Sequence, residues 1–199
     1  VNVVRAAREK LGTDKIIVMP ANIPPHKQGK NLASPQDRLN MAKLAFAGIP
    51  GCEVSSYELN AGGTSYTCRT LAHFRQKFPD ATLYWLVGAD MLKDFPTWKD
   101  PESILSMAEL VACSREGEHV NFKAEQLRFF AKYRKGFRVL EFTGRDISST
   151  KARVLAAFGE DLKPYLLEDV IAYIQANGLY RVECVKEALT FLKPARKKH

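Results

Sequence analysis

Apolar and polar positions follow two rhythms along this chain. Val3, Val4, Ala7 and Leu11 recur at helical spacing and Gly12 stops them, which predicts a helix over residues 1–11. Ile16-Ile17-Val18-Met19 is a short apolar, largely β-branched run, the pattern of a buried parallel strand. Pro20 to Ala33 reads as a loop holding Pro24-Pro25, and Ser34-Pro35 supplies a cap and a first-turn proline for a helix through about Ala47. Glu53 to Leu59 reads as a second strand, closed by Gly62-Gly63, and Thr67 to Phe78 as a helix. Leu83 to Val87 is a buried strand running straight into Gly88-Ala89-Asp90. A short helix from Asp100-Pro101, a strand at Leu110–Cys113, a helix near Ala124–Tyr133 and a strand at Arg138–Phe142 follow. Ser148-Ser149-Thr150 opens another helix, and Pro164 to Ala176 forms a last one, ended by Asn177-Gly178.

Strands alternating with helices predict an α/β fold, a mostly parallel sheet with helices on both faces. In such sheets ligands sit beyond the carboxyl ends of the strands. Lys27 follows the first strand, Gly88-Ala89-Asp90 follows Leu83–Val87, and Ser148 follows the strand ending at Phe142. Neither Gly-x-Gly-x-x-Gly nor Gly-x-x-x-x-Gly-Lys occurs, which excludes the dinucleotide fingerprint and the Walker loop.

The 199 residues suffice for one domain with a substantial core, and 46% hydrophobic with 26% charged residues is ordinary for a globular chain. No apolar run reaches the roughly 18–20 residues of a membrane span, and the first residues lack a secretory pattern. Cys52, Cys68, Cys113 and Cys184 lie far apart with no Cys-x-x-Cys pair, so the expected setting is reduced and cytoplasmic. His26, His73, His119 and His199 show no metal-ligand spacing. The net charge of +8 suits a handler of phosphate-bearing ligands, although Lys186, Lys193, Arg196, Lys197 and Lys198 place part of it in the tail.

The chemistry concentrates in Ile147-Ser148-Ser149-Thr150-Lys151-Ala152-Arg153. A helix start exposes unpaired N–H groups and a partial positive charge; Ser and Thr add donors, and an arginine one turn in can reach back with a forked guanidinium. That combination suits phosphate, and it equally describes a well-capped helix. Lys27 sits on the stiff Pro24-Pro25 loop, where proline pre-sets the backbone. Ser65-Tyr66-Thr67 offers helix-start N–H groups to a carboxylate, or simply caps. Gly88 allows close approach while Asp90 can accept ribose or amino hydrogen bonds, and Trp98 can stack on a planar ring or merely pack.

Together and in order, these segments resemble the nicotinate-nucleotide adenylyltransferase family. The matching pieces are Pro24-Pro25-His26-Lys27, Ser65-Tyr66-Thr67, Gly88-Ala89-Asp90-Met91, Trp98, Ile147 to Thr150 with Arg153, and Tyr173 to Tyr180. The likeness covers about residues 1–181, with 182–199 as a basic tail or the start of an HD-type phosphohydrolase domain. It implies a Rossmann-like nucleotidyltransferase fold that transfers AMP from ATP, with Mg²⁺, to nicotinate mononucleotide, giving deamido-NAD and pyrophosphate. It places ATP at Gly88, Asp90, Ile147, Ser148, Ser149, Thr150 and Arg153, and the mononucleotide at Lys27, Tyr66, Thr67 and Trp98. A homo-oligomer is compatible with the sequence but not specified by it.

Arg69 and Ala152 are small departures from the family pattern. The large one is at the front, where the family has a strand and a Gly-Gly-Thr-Phe-Asp-Pro-x-His-x-Gly-His loop whose histidines stabilise the reacting phosphates. Matching Val1–Leu11 to the helix after that loop puts the second histidine just before Val1. The expectation is therefore an N-terminally truncated domain that lacks its central first strand, is poorly stable and inactive as written, and belongs to an active complete gene product. Rival readings are another transferase of the same fold, such as one acting on pantetheine phosphate, a basic nucleic-acid-binding module, and a non-catalytic remnant. Scattered charge outside the tail speaks against nucleic acid, and Trp98 with Ser65-Tyr66-Thr67 favours the pyridine substrate.

Overall fold

A computed structural model describes residues 1–25, 32–115, 117, 120–144 and 148–182. Helix α1 (Asn2–Leu11) ends at Gly12, whose φ of 62° is the left-handed cap conformation glycine supplies most cheaply. Strand β1 (Ile16–Val18) leads through the proline loop to α2 (Pro35–Phe46). Ser34 caps α2 as its spacing predicts, its Oγ accepting the Asp37 N–H at 3.0 Å. Strand β2 (Cys52–Val54), the short α3 (Tyr57–Ala61) and α4 (Thr67–Lys77) follow. Then come β3 (Tyr84–Gly88), two 3₁₀ turns (Ala89–Leu92 and Phe95–Thr97) and α5 (Pro101–Met107). Strand β4 (Glu109–Arg115), α6 (Phe122–Tyr133), β5 (Arg138–Phe142), α7 (Ser149–Ala157) and α8 (Glu168–Ala176) complete the described order.

Two expectations are corrected. The strand predicted over Glu53–Leu59 stops at Val54, because the Ser55 hydroxyl accepts the Tyr57 N–H and turns the chain into α3. The last helix begins at Glu168 rather than Pro164. Residues 162–166 form turns instead, with Tyr165 and Leu166 N–H groups both bonding Leu162 O.

The strands form two sheets, each wholly parallel: β1 beside β2, and β3-β4-β5. Strand β4 alternates its cargo strictly. Val111 and Cys113 face α1 with Ala6, Ala7 and Leu140, while Leu110 and Ala112 face a larger cluster with Leu71, Val87, Phe95, Ile104, Phe129 and Phe137. Helices therefore cover both faces, as period-2 burial in a central parallel strand requires.

Between the two sheets lies a cavity of about 1690 Å³, lined on one side by Ile16–Met19 and on the other by Leu83–Gly88.

Candidate active site

The site grows from the carboxyl ends of the strands. Gly88 closes β3 and Asp90 sits in the following 3₁₀ turn; both line the cavity with Lys93, Asn121 and Glu125. A Cβ on Gly88 would collide with Asp90 Oδ1, so glycine here is what allows that carboxylate its position. Cys113, near the end of β4, also lines the cavity, but burial pushes its thiol up to about 11. It stays protonated at neutral pH and is no nucleophile.

Beyond β5, α7 starts where the hydroxyl run predicts. Ser148 is its N-cap, with Oγ accepting the Lys151 N–H at 3.1 Å, and Ser149 and Thr150 form its first turn. Arg153 reaches back so that Nη2 donates to Thr150 Oγ1 at 3.2 Å. The helix start thus gathers first-turn N–H groups, the hydroxyl residues Ser148, Ser149 and Thr150, and the Arg153 guanidinium, the elements of an anion site.

On the other flank, α4 begins at Thr67 with Tyr66 as an N-cap that makes no side-chain cap hydrogen bond. Lys99 Nζ stands 4.6 Å from the Tyr66 ring centroid and Arg69 5.4 Å from it, which brings the Trp98–Lys99 segment beside the Tyr66–Thr67 turn. Trp98 is half-buried, its indole 5.3 Å from the Phe95 ring. The structure therefore draws Tyr66, Thr67 and Trp98 into one neighbourhood and Gly88 with Asp90 into another. Lys27 and Ile147 lie outside the described residues, as do His26, His119, Cys184 and the tail from 183 onward. Among the described residues Cys52, Cys68 and Cys113 are free thiols.

Three residues missed in the sequence organise this region. The Arg38 guanidinium binds carbonyls at both ends of the proline loop. The Asn22 N–H donates to Ser65 Oγ at 2.8 Å, joining that loop to the start of α4. Tyr180, at a left-handed φ of 60°, packs against Val154 of α7; burial pushes its phenol up, with Arg153 and then Arg38 pulling the other way. The one available signal was an arginine in the first turn of the helix that closes the Lys27 loop.

The family model for cytidylyltransferase-like proteins matches residues 1–155. The probable nicotinate-nucleotide adenylyltransferase of Clostridium tetani (strain Massachusetts / E88) is 36% identical over 178 residues, 88% of each chain. Its counterpart of the same name in Roseiflexus sp. (strain RS-1) is 38% identical over 174 residues, 87% of this chain and 86% of that protein. Among solved structures, Plasmodium falciparum nicotinic acid mononucleotide adenylyltransferase complexed with NaAD superposes with a TM-score of 0.70 at 18% identity, covering 89% of this chain and 90% of that one. The same protein complexed with APC gives 0.66 at 17% identity over 89% and 90%. The likeness in fold and the identity along nearly the whole chain agree: the protein belongs to the nicotinate-nucleotide adenylyltransferase family, within the cytidylyltransferase-like superfamily.

Proposed function

We propose that the cleft beyond the strand ends transfers AMP from ATP to nicotinate mononucleotide, forming deamido-NAD and pyrophosphate. The observation that carries this reading is the start of α7, a Ser148-capped turn with Ser149, Thr150 and Arg153 beside the strand ends, in a chain of this family. The α7 turn, with Ile147, holds the ATP phosphates, while Gly88 and Asp90 border the adenosine. Trp98 stacks on the pyridine ring, Tyr66 and Thr67 meet its carboxylate through backbone N–H groups, and Lys27 faces the mononucleotide phosphate.

An oxygen of the mononucleotide phosphate attacks the α-phosphorus of ATP. The new bond is a phosphoanhydride, the bond from the α-phosphorus to the bridging oxygen breaks, and pyrophosphate departs with that electron pair. Such a transfer needs alignment and charge neutralisation rather than a covalent enzyme intermediate. Mg²⁺ bound to ATP would neutralise part of the phosphate charge, as a hard cation held by oxygen ligands.

The test is the protein incubated with ATP and, in turn, nicotinate mononucleotide, nicotinamide mononucleotide and pantetheine phosphate, with pyrophosphate release and dinucleotide formation read together. Nicotinate mononucleotide is the preferred acceptor; adenylation of pantetheine phosphate with both pyridine nucleotides inert overturns the reading. The reaction runs in the cytoplasm under this proposal; among the described residues no helix is long and apolar enough to cross a membrane.

A further inference from the structure

We infer that Arg38 is a positioning residue for the mononucleotide side of the cleft. This rests on the reading of the Tyr66–Thr67 turn given above. Arg38 lies one turn into α2, half-buried, and its planar guanidinium serves three backbone carbonyls at once. Nε donates to Ala33 O at 3.1 Å, Nη1 to Ala21 O at 2.5 Å and Nη2 to Asn22 O at 2.8 Å. Ala21 and Asn22 stand where the chain leaves β1, and Ala33 stands where it re-enters α2. One side chain therefore bolts together the two ends of the proline loop.

Asn22 carries the constraint onward. Its N–H donates to Ser65 Oγ at 2.8 Å and its Nδ2 to Gly63 O at 2.9 Å. The Ser65 N–H returns a bond to Ile23 O at 3.0 Å, and Ile23 bridges Thr64. The guanidinium is thus two hydrogen bonds from Ser65, the residue before Tyr66 and Thr67. The base from which it acts is itself fixed. Tyr173 of α8 donates its hydroxyl to Asp37 Oδ1 at 2.9 Å, and Asn40 Nδ2 donates to that hydroxyl at 2.9 Å.

All three acceptors of Arg38 are carbonyls, whose lone pairs point in set directions that a rigid fork matches and an ammonium point charge does not. A lysine at this place can satisfy one carbonyl well and leaves the others to water. The consequence is selective. Loosening Asn22 and Ser65 acts directly, through hydrogen bonds, on the segment that leads into the Tyr66–Thr67 turn, whereas the α7 start feels Arg38 more weakly, through Tyr180, which packs against Val154 and lies within the electrostatic reach of both Arg38 and Arg153.

The experiment compares R38K and R38M with the wild-type protein. Positioning predicts a KM for nicotinate mononucleotide raised about 10-fold in R38K and about 100-fold in R38M, with the KM for ATP within 2-fold. Proton exchange at the Asn22 and Ser65 amides, followed without substrates, accelerates in both variants, while exchange in β4 is unchanged. Equal rises in both KM values, or a wild-type mononucleotide KM in R38M, overturn the inference. So does unaltered exchange at those two amides. If nicotinate mononucleotide proves not to be a substrate at all, the functional reading fails, and the exchange measurement still judges the clamp.

Discussion

Replacing Trp98 separates the two roles its position allows. Trp98 ends the second 3₁₀ turn, its backbone N–H donating to Phe95 O at 3.0 Å, and part of its indole packs against the core cluster around Phe95, itself 1% exposed. Complete burial would make Trp→Ala cost about 3–5 kcal/mol. Half-burial brings the expected W98A loss to about 2 kcal/mol. For a domain of this size that lowers Tm by roughly 4–8 °C. Stacking on a planar ring is worth ~1–3 kcal/mol, which is about a 5- to 150-fold change in affinity.

The assay is steady-state kinetics of W98F and W98A, with each substrate varied at saturating partner, alongside thermal melts. If the exposed part of the indole meets the pyridine ring, the mononucleotide KM rises more in W98A than in W98F and the ATP KM holds. A pure packing role moves Tm and leaves both KM values together. A drop in Tm with the mononucleotide KM within 2-fold of wild type in W98A would refute the stacking assignment.

Three further outcomes follow from the geometry. S148A removes the cap of α7, which costs about 1 kcal/mol and lowers Tm a few degrees; the same change raises the ATP KM while leaving the mononucleotide KM, as read by substrate-varied kinetics. G88A puts a Cβ where the exposed Asp90 carboxylate now sits and turns that carboxylate aside, so ATP affinity measured by calorimetry falls about 10-fold while Tm holds, and unchanged affinity would remove Asp90 from the ATP site. The Asp37 carboxyl is held below its usual value first by the Ser34 hydroxyl and then by Tyr173. Its stabilisation is therefore complete above the unfolded carboxylate range, near pH 4, and is lost as pH falls through the lower folded value. Melts of D37N should accordingly converge on the wild type in acid and separate from it at neutral pH.

Much of this architecture was legible because its signals are local. Gly12, Ser34-Pro35, Asp100-Pro101 and Ser148 each act within one turn, and each caps the helix its spacing announced. Tyr57-Glu58-Leu59 was not legible. Glu58 looks like the solvent-facing member of an alternating strand, yet it is buried, with Thr70 Oγ1 donating to its carboxylate at 2.6 Å from twelve residues away. A partner on another helix converts a charged position into an interior one, and nothing in the local pattern records it. Arg38 was missed for a related reason: its acceptors are main-chain carbonyls, which leave no trace in residue identity.

The strands themselves hold the remaining disagreement between sequence and structure. Leu83 to Val87 and Ile16 to Val18 are apolar on both faces, the composition of strands with a neighbour on each side. β4 has two neighbours and buries Leu110 through Ser114 without a break. Among the described residues β3 has one neighbour, and of its five residues only Val87 is fully buried; β1 likewise has one and buries none completely. Edge strands left so apolar invite pairing, and proteins ordinarily blunt them with charge or proline. Here both apolar strands, β1 and β3, line the same cavity as Gly88 and Asp90.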